Sequence, residues 1–240
     1  MTLNLLRCFR LATVSVSLAA SAGSAVHAAH AAGGANANPH PGIRAMLGAQ
    51  PVQHLDAATT ALVVIDFQQE YFSGRMPIPD GQRAMENAQR LLAFADRARI
   101  PVFQVQHVAP AGAAVFAVDG ATVAFQPGMV PRAHDVVLRK ETVSVFASTD
   151  LDRRLKALGV KTIVVAGLMT HACVAGAARD AVPLGYHVVV ASDASATRAI
   201  TRADGQTVGK DALHAAALAE IEDTFGDVIT TAAITQLPLR

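Results

Sequence analysis

Short apolar runs along the chain alternate with stretches in which apolar residues recur at helical spacing. The apolar runs have the length and the β-branched content of buried parallel strands. They lie at 61–66, 101–106, 136–139, 162–166, 187–191 and 228–230. The helical stretches lie at 80–99, 149–158, 172–181 and 210–225. This alternation predicts a single-domain α/β fold: a doubly wound, Rossmann-like and mostly parallel sheet with helices on both faces.

Two segments lack this periodicity. Residues 29–51 are rich in Ala, Gly, Asn and Pro, which predicts a flexible N-terminal arm ahead of a folded domain at 52–240. Within the arm, residues 43–47 are compatible with a short helical turn. Residues 110–134 are predicted to form a long loop over the face of the sheet where a ligand would bind. The loop carries two phenylalanines that are candidates for a lid, or for a cover over a neighbouring subunit: Phe116 and Phe125.

The first 28 residues are predicted to be a signal peptide. Arg7 and Arg10 form a positive n-region, and residues 11–22 are an apolar segment too short to span a bilayer. The small residues Val26 and Ala28 predict cleavage after Ala28. We therefore expect bacterial Sec-type export and a periplasmic or secreted protein. An uncleaved anchor in the membrane interface is the alternative.

Cleavage would change both the charge and the cysteine count. It removes two arginines, which leaves 18 basic against 19 acidic side chains and changes the formal net charge from +1 to −1. Such a balance provides no basic face, so neither nucleic acid nor, after cleavage, a membrane is expected as a partner. Cleavage also removes Cys8 and leaves Cys173 as the only thiol. An unpaired cysteine is unusual in an exported protein and favours a chemical role, with an intermolecular disulfide as the alternative.

Three chemically active side chains end or follow predicted strands: Asp66, Lys140 and Cys173. In a doubly wound sheet ligands bind beyond the carboxyl ends of the strands, so we expect these three to converge there. Together they supply a base, a cation and a nucleophile. A cation and a helix N-terminus would both lower the pKa of the Cys173 thiol. Taken singly, each residue also fits a plainer role: a turn aspartate, a solvated lysine and a cysteine buried as a small hydrophobe.

The segments around these residues resemble a known family. Residues 65–68 (IDFQ), Lys140 with Ser144 and Phe146, and residues 167–174 (GLMTHACV) are similar to the isochorismatase-like cysteine hydrolases, which include nicotinamidase and N-carbamoylsarcosine amidase. The resemblance runs from about residue 60 to residue 234. It identifies residues 52–240 as an isochorismatase-like hydrolase domain.

This resemblance implies a triad in which Asp66 is the general base, Lys140 orients the pair and favours the thiolate, and Cys173 is the nucleophile. It also implies a cis peptide bond between Leu168 and Met169, with the N–H groups of Met169 and Cys173 forming an oxyanion hole. The expected reaction cleaves a C–N bond of a small amide or carbamoyl compound through a thioester. A vinyl ether hydrolase and a non-catalytic thiol sensor on the same fold are the alternatives. Since family members often assemble, a homodimer or homotetramer is expected.

One departure from the family pattern bears on cofactors. Nicotinamidases carry an Asp-x-His metal site after the second strand, whereas residues 104–108 read QVQHV here and lack the aspartate. The sequence therefore predicts a site with no metal and no other cofactor, acting on a small-molecule substrate.

Five residues are predicted to line the substrate pocket: Tyr71, Phe72, His107, Phe146 and Leu168. The aromatic rings among them would wall an apolar pocket, with core packing as the alternative. For His107, at the end of the second strand, the alternative is a satisfied polar residue at a strand edge. Two further histidines, His171 and His214, are assigned to capping, packing or subunit contacts in preference to catalysis.

Overall fold

The part of the chain described by the computed structural model, residues 40–240, forms an α/β domain. Its strands are β1 (Thr60–Ile65), β2 (Val102–His107), β3 (Val136–Lys140), β4 (Thr162–Leu168), β5 (His187–Ala196), β6 (Ile200–Thr201), β7 (Thr207–Val208) and β8 (Asp227–Ile229). Its α-helices are α1 (Ile43–Met46), α2 (Gly81–Ala98), α3 (Val145–Ser148), α4 (Leu151–Ala157), α5 (Ala175–Ala181), α6 (Lys210–Glu220) and α7 (Thr231–Gln236).

Six strands build one parallel sheet in the order β3-β2-β1-β4-β5-β8. The chain moves outward from β1 to β3 and then returns to place β4 on the other side of β1, so the strand order reverses between β1 and β4. Ligands bind at such a switch point in doubly wound sheets. Asp66 directly follows β1, and Cys173 lies in the turn after β4. The switch point therefore carries two of the three candidate residues.

Helices cover both faces of the sheet, which confirms the predicted fold class. All six residues of β1 are buried because their side chains alternate between two apolar clusters. Leu62 and Val64 pack in the cluster that contains the inner face of α2. Val63 and Ile65 pack in the cluster that contains α5, whose small alanines let the helix approach the sheet closely.

Two strands are longer than the apolar pattern predicts. The apolar runs stop at 166 and 191, whereas β4 continues to Leu168 and β5 to Ala196. A shift of register between Val165 and Gly167 lets the more polar second half of β5 continue beside β4. Because this extension depends on pairing between distant segments, the local pattern does not contain it.

Several short elements were also missing from the predicted pattern. They are α3, α7 and the antiparallel ribbon of β6 and β7. The start of α7 is fixed by a contact distant in sequence, since the backbone N–H and the hydroxyl of Thr231 donate to Asp193 Oδ1 at 2.7 and 2.8 Å. The helix predicted at 210–225 ends as α6 at Glu220, and residues 221–225 form a wider, π-helical turn.

The described part of the predicted arm, residues 40–51, packs against the domain. The backbone N–H of Ile43 donates to Asp223 Oδ1 at 2.7 Å, and Arg44 forms an ion pair with Asp227 at 3.2 Å. The predicted helical turn is present as α1. Composition predicted flexibility here because the two anchoring aspartates lie far away along the chain. The predicted signal peptide at 1–28 and residues 29–39 lie outside the described residues.

No helix within residues 40–240 has the length and apolar character needed to cross a membrane. The long loop at 110–134 is fastened to the end of β2 by Gln68, whose side chain is buried. Gln68 Nε2 donates to the carbonyls of His107 at 2.8 Å and Val123 at 2.7 Å, and its Oε1 accepts from the His107 N–H at 2.8 Å. These bonds hold the loop in one place over the carboxyl edge of β1 and β2.

Gly167→Ala is expected to reduce the free energy of unfolding by about 2–4 kcal/mol. Gly167 has φ +155°, and a Cβ there would lie 2.5 Å from the carbonyl oxygen of Ile65 on the neighbouring strand β1. The substitution therefore forces apart the two strands that carry the site. Urea unfolding of both proteins measures the loss.

Gly205→Ala is the matched control for this prediction. Gly205 also has a positive φ, +83°, but a Cβ there would meet no atom within 4 Å. Its expected loss is only about 1 kcal/mol, from the backbone conformation alone. Equal losses in the two variants would show that the close approach of β1 and β4 does not exclude a side chain at position 167.

Candidate active site

The three residues of the predicted triad meet at the carboxyl edge of the sheet. Asp66 follows β1, Lys140 ends β3, and Cys173 lies in the turn between β4 and α5. Asp66 and Lys140 are fully buried, and Cys173 is 5% exposed. All three sit at or just beyond strand ends, so the sheet backbone sets their positions.

Lys140 Nζ is the centre of this cluster. It lies 2.8 Å from Asp66 Oδ2 and 3.4 Å from Cys173 Sγ. His107 Nδ1 at 2.9 Å and the Thr142 carbonyl at 3.1 Å complete its surroundings. The three N–H bonds of the ammonium group match three acceptors, His107, Thr142 and the sulfur, and the contact with Asp66 is an ion pair. The lysine therefore connects the carboxylate to the thiol and is held on its other side by a histidine.

The backbone of Asp66 turns sharply after β1. Its φ is +56°, in the left-handed region that aspartate tolerates better than most residues. The Asp66 N–H still donates to the carbonyl of Val105 at 3.0 Å, and the Asp66 carbonyl accepts from the N–H of Gln68 at 2.8 Å. This turn keeps the carboxyl group beneath the loop, where it is shielded from solvent.

Burial raises the pKa of Asp66 above its ordinary value, and the charge of Lys140 opposes this shift. Burial and then the negative charge of Asp66 raise the pKa of Cys173 to about 12, again against Lys140. The expectation of a lowered thiol pKa is therefore wrong, because burial and the nearby carboxylate outweigh the cation. Burial thus keeps the thiol protonated at neutral pH, beside a carboxyl group whose raised pKa makes its ionised form a stronger base than an ordinary aspartate.

The segment that carries Cys173 begins with the cis peptide bond Leu168–Met169, which confirms that prediction. Residues 170–174 then form a π-helical turn in which the N–H groups of Ala172 and Val174 both donate to the Met169 carbonyl, at 3.1 and 3.2 Å. The regular helix starts at Ala175, later than the predicted start at 172. Cys173 thus lies inside a wide turn that joins the strand to the helix.

His107 contacts the triad through Lys140. Burial, and then the positive charge of Lys140, lower the pKa of His107 to about 4. At neutral pH the imidazole is therefore uncharged, and its Nδ1 accepts a hydrogen bond from Lys140. The sequence did not suggest this contact, through which the predicted pocket residue holds Lys140 in place.

Phe116 of the long loop completes a row of rings beside the triad. Its ring meets those of Tyr71 at 5.2 Å and His107 at 4.9 Å, edge to face in both cases. Burial, followed by the charges of Cys173 and Asp66, raises the pKa of Tyr71. Tyr71 and His107 are therefore close to the predicted triad and Phe116 packs on both, while their role in lining the pocket stays a prediction.

The other predicted pocket residues lie in apolar packing. Phe72 packs at the start of α2, where its ring is 3.4 Å from the position of a Cβ on Gly81. Phe146 stacks on Tyr186 with the ring centroids 6.0 Å apart. Leu168 is fully buried in the core at the end of β4. For Phe72 and Phe146 these contacts favour the core-packing alternative.

Arg198, just after β5, is a candidate site residue that the sequence analysis missed. Its Nε is buried and has no hydrogen-bond partner, and its Nη1 donates only to the carbonyl of the adjacent Ala199 at 3.1 Å. Its positive charge partly opposes the raised pKa of Tyr71. It also adds to the lowering of the His171 pKa that burial causes. The predicted strand ended at residue 191, so the sequence carried no signal that would bring Arg198 to this edge.

His171 and His214, the two further histidines singled out in the sequence, bond to threonines and not to Cys173. His171 Nδ1 lies 2.6 Å from Thr197 Oγ1, and His214 Nδ1 lies 2.8 Å from Thr170 Oγ1. Within residues 40–240, no group of three or more His, Cys, Asp or Glu side chains is arranged to hold a metal ion.

Comparison with known proteins shows the family. Residues 60–233 match the family model of the isochorismatase domain. The secreted isochorismatase effector of Verticillium dahliae is 34% identical, over 78% of this chain and 96% of its own. The maleamate amidohydrolase of Pseudomonas putida is 33% identical, over 71% of this chain and 82% of its own.

The fold has a similar counterpart among solved structures. A cysteine hydrolase from Pseudomonas syringae pv. phaseolicola superposes with a TM-score of 0.74 at 26% identity, covering 83% of this chain and 97% of that one. The family match extends over more than two thirds of the sequence. The chain therefore belongs to the isochorismatase-like cysteine hydrolase family and is a hydrolase.

Proposed function

We propose that this hydrolase cleaves the C–N bond of a small amide or carbamoyl substrate that also bears a carboxylate, using Asp66, Lys140 and Cys173 as its triad. The observation that carries the proposal is the position of one buried ammonium nitrogen, 2.8 Å from the carboxylate and 3.4 Å from the thiol. The amidohydrolase name of one relative supports C–N cleavage.

In the first half of the proposed reaction, Cys173 gives its proton to Asp66 as the sulfur attacks the amide carbon. The S–C bond forms and the carbonyl electron pair moves to oxygen, where the N–H groups of Met169 and Cys173 stabilise the charge. The C–N bond then breaks, and Asp66 returns the proton to the departing nitrogen. Ammonia or an amine leaves, and a thioester remains on Cys173.

In the second half, water attacks the thioester and gives a proton to Asp66. The C–S bond breaks, the proton passes to the sulfur, and the product acid leaves. The Lys140 ammonium, 2.8 Å from Asp66 Oδ2, stabilises the carboxylate form of Asp66 between proton transfers. The raised pKa values of Asp66 and Cys173 suit this cycle. The thiol is protonated before the substrate binds, and it gives its proton to Asp66 as the sulfur attacks.

Arg198 is the group proposed to bind the substrate carboxylate. A buried guanidinium N–H without a partner loses its hydrogen bond to water, and an anionic ligand would restore one. The charges of Arg198, Cys173 and Asp66 all affect the pKa of Tyr71, which supports a position of Arg198 near the triad. A substrate with an amide at the sulfur and a carboxylate toward Arg198 would satisfy both.

Arg198→Met is expected to lower kcat/KM for carboxylate-bearing amides by about 10- to 100-fold, mainly through KM. Ammonia release would be measured on half-amides of small dicarboxylic acids, maleamate among them, and on the matching neutral diamides. The wild type should prefer the half-amides, and the variant should lose that preference. Arg202→Met, which removes an exposed arginine paired with Asp204 at 2.9 Å, is the control. An equal loss on both substrate types would contradict the assignment.

The same panel separates the other functions considered for this fold. Isochorismate added to it would be cleaved by a vinyl ether hydrolase, without release of ammonia. A thiol sensor needs a readily formed thiolate, and a thiol pKa of about 12 opposes that role. Absence of ammonia release from every amide, together with cleavage of isochorismate, would overturn the amidase proposal.

We further propose that the protein is exported. The positive n-region, the apolar segment at 11–22 and the small residues before residue 29 support export, and one relative is a secreted protein. Expression of the full chain in a bacterium, followed by fractionation and N-terminal sequencing, should give a periplasmic or secreted form that begins at Ala29. A full-length form confined to the cytosol would contradict this.

A further inference from the structure

We propose that His214 is a positioning residue that fixes the nucleophile turn, residues 170–174, through a hydrogen bond to Thr170. This inference depends on the proposed role of Cys173. The bond joins His214 Nδ1 to Thr170 Oγ1 at 2.8 Å, and Thr170 is fully buried. Neither residue contacts the triad in the geometry described above, so the effect must pass through the backbone.

Thr170 is well placed to set the orientation of the turn. It is the first residue of the π-helical segment and follows Met169, whose carbonyl accepts hydrogen bonds from Ala172 and Val174 on either side of Cys173. Both of these hydrogen bonds end on the Met169 carbonyl, so a backbone rotation at Met169 or Thr170 would reorient the rest of the turn. Rotation there would move the sulfur away from Lys140, which already lies 3.4 Å from it.

The helix that carries His214 is itself anchored. At its first residue, Lys210 Nζ donates to Asp80 Oδ2 at 2.6 Å, and Asp80 precedes α2. Lys210 and His214 are four residues apart and therefore share one face of α6. The turn is thus tied through α6 to α2, which packs on the sheet.

The surroundings of His214 indicate how the bond is made. Burial lowers the pKa of His214, so the ring is neutral at neutral pH. The charges of Asp80, Arg83 and Asp211 act on the ring, and the backbone of Ser192 hydrogen-bonds to it. In the neutral ring the Thr170 hydroxyl donates to Nδ1 when the ring proton is on Nε2, and accepts from it when the proton is on Nδ1.

The test compares two substitutions of His214. Asparagine places a polar atom where Nδ1 lies and can keep the bond, whereas leucine fills similar space and cannot. His214→Leu should lower kcat by about 10-fold or more with KM within about twofold, because a misplaced nucleophile affects chemistry more than binding. His214→Asn should retain kcat within about threefold. Equal losses in kcat for Asn and Leu would overturn the proposal.

A second pair tests the other end of the bond. Thr170→Val should reproduce the effect of His214→Leu, and Thr170→Ser should retain activity. The double variant Thr170→Val with His214→Leu should lose no more kcat than either single variant, since the two changes break the same bond. Additive losses would show that the residues act separately. This pair keeps the proposal testable if His214→Leu does not fold.

A readout without turnover separates this inference from the proposed function. The rate of Cys173 alkylation by iodoacetamide at pH 8 should change in His214→Leu and Thr170→Val and remain near the wild-type rate in the Asn and Ser variants. Thermal unfolding of each variant shows whether the fold is retained. If no amide is hydrolysed by the wild type, the alkylation pattern still decides the positioning role, and unchanged rates in all four variants would refute it.

Discussion

Cys173→Ala is expected to reduce kcat by at least about 10⁴-fold on any amide that the wild type hydrolyses. The sulfur is the atom that forms the covalent bond, and no other thiol is present in the described residues. Removing it leaves Asp66 and Lys140 to act on a bound water, a route without the thioester. The measurement is ammonia release at saturating substrate.

Two controls separate this loss of chemistry from a loss of structure. Cys173 has a small side chain that is 5% exposed, so alanine should cost only about 1 kcal/mol of stability, visible in thermal unfolding. In the wild type, rapid quenching during turnover followed by mass spectrometry should find the acyl group on the peptide that contains Cys173. A variant that keeps more than about 1% of wild-type kcat, with no acyl group on the wild-type peptide, would rule out the thioester route.

The triad could be predicted from the sequence because its geometry is a property of the fold. Once the apolar runs are assigned to parallel strands, residues just beyond the strand ends must meet at one edge. Asp66, Lys140 and Cys173 occupy such positions, so the sheet order brings them to one edge, and the structure adds the distances of 2.8 and 3.4 Å from Lys140 Nζ. The resemblance to a family added the cis bond at Leu168–Met169, which no local pattern contains.

Phe116 and Arg198 could not be assigned in the same way. Phe116 comes from a loop without periodicity, and it reaches the site only because Gln68 fastens that loop to the end of β2. Arg198 follows the polar half of β5, whose continuation as a strand depends on a register shift in the sheet. Their roles depend on pairing between distant segments.

The thiol pKa shows where local electrostatic reasoning was insufficient. A nearby cation and a helix N-terminus both lower a thiol pKa, and both were identified in the sequence. The depth of burial and the closeness of Asp66 to the sulfur were not, and these two effects dominate. Both depend on how the loop covers the site, which is a tertiary property. The raised pKa of the Cys173 thiol changes the proposed mechanism. The thiol is no longer expected to be a thiolate before the substrate binds, and it loses its proton as the sulfur attacks.

That change makes Asp66 the residue whose ionisation should control activity. Asp66→Asn is expected to lower kcat by about 10²- to 10⁴-fold, because the thiol then has no base to receive its proton. In the wild type, kcat should rise with pH as Asp66 ionises and fall away below its pKa. Since burial raises that pKa, the acidic limb should lie above the ordinary aspartate value of 3.8. The limb should be absent from the residual activity of Asp66→Asn.

Asp135→Asn is the matched control for this pH profile. Asp135 also has a fully buried side chain paired with a cation, Arg132 at 2.7 Å, but it makes no contact with Cys173 or Lys140. Asp66→Asn breaks a fully buried ion pair and should be less stable by about 3–5 kcal/mol, whereas Asp135→Asn breaks a partly exposed pair and should lose less. Only the Asp66 variant should lose the acidic limb. A wild-type profile without an acidic limb above the ordinary aspartate value of 3.8, or a limb that persists in Asp66→Asn, would show that another group accepts the thiol proton.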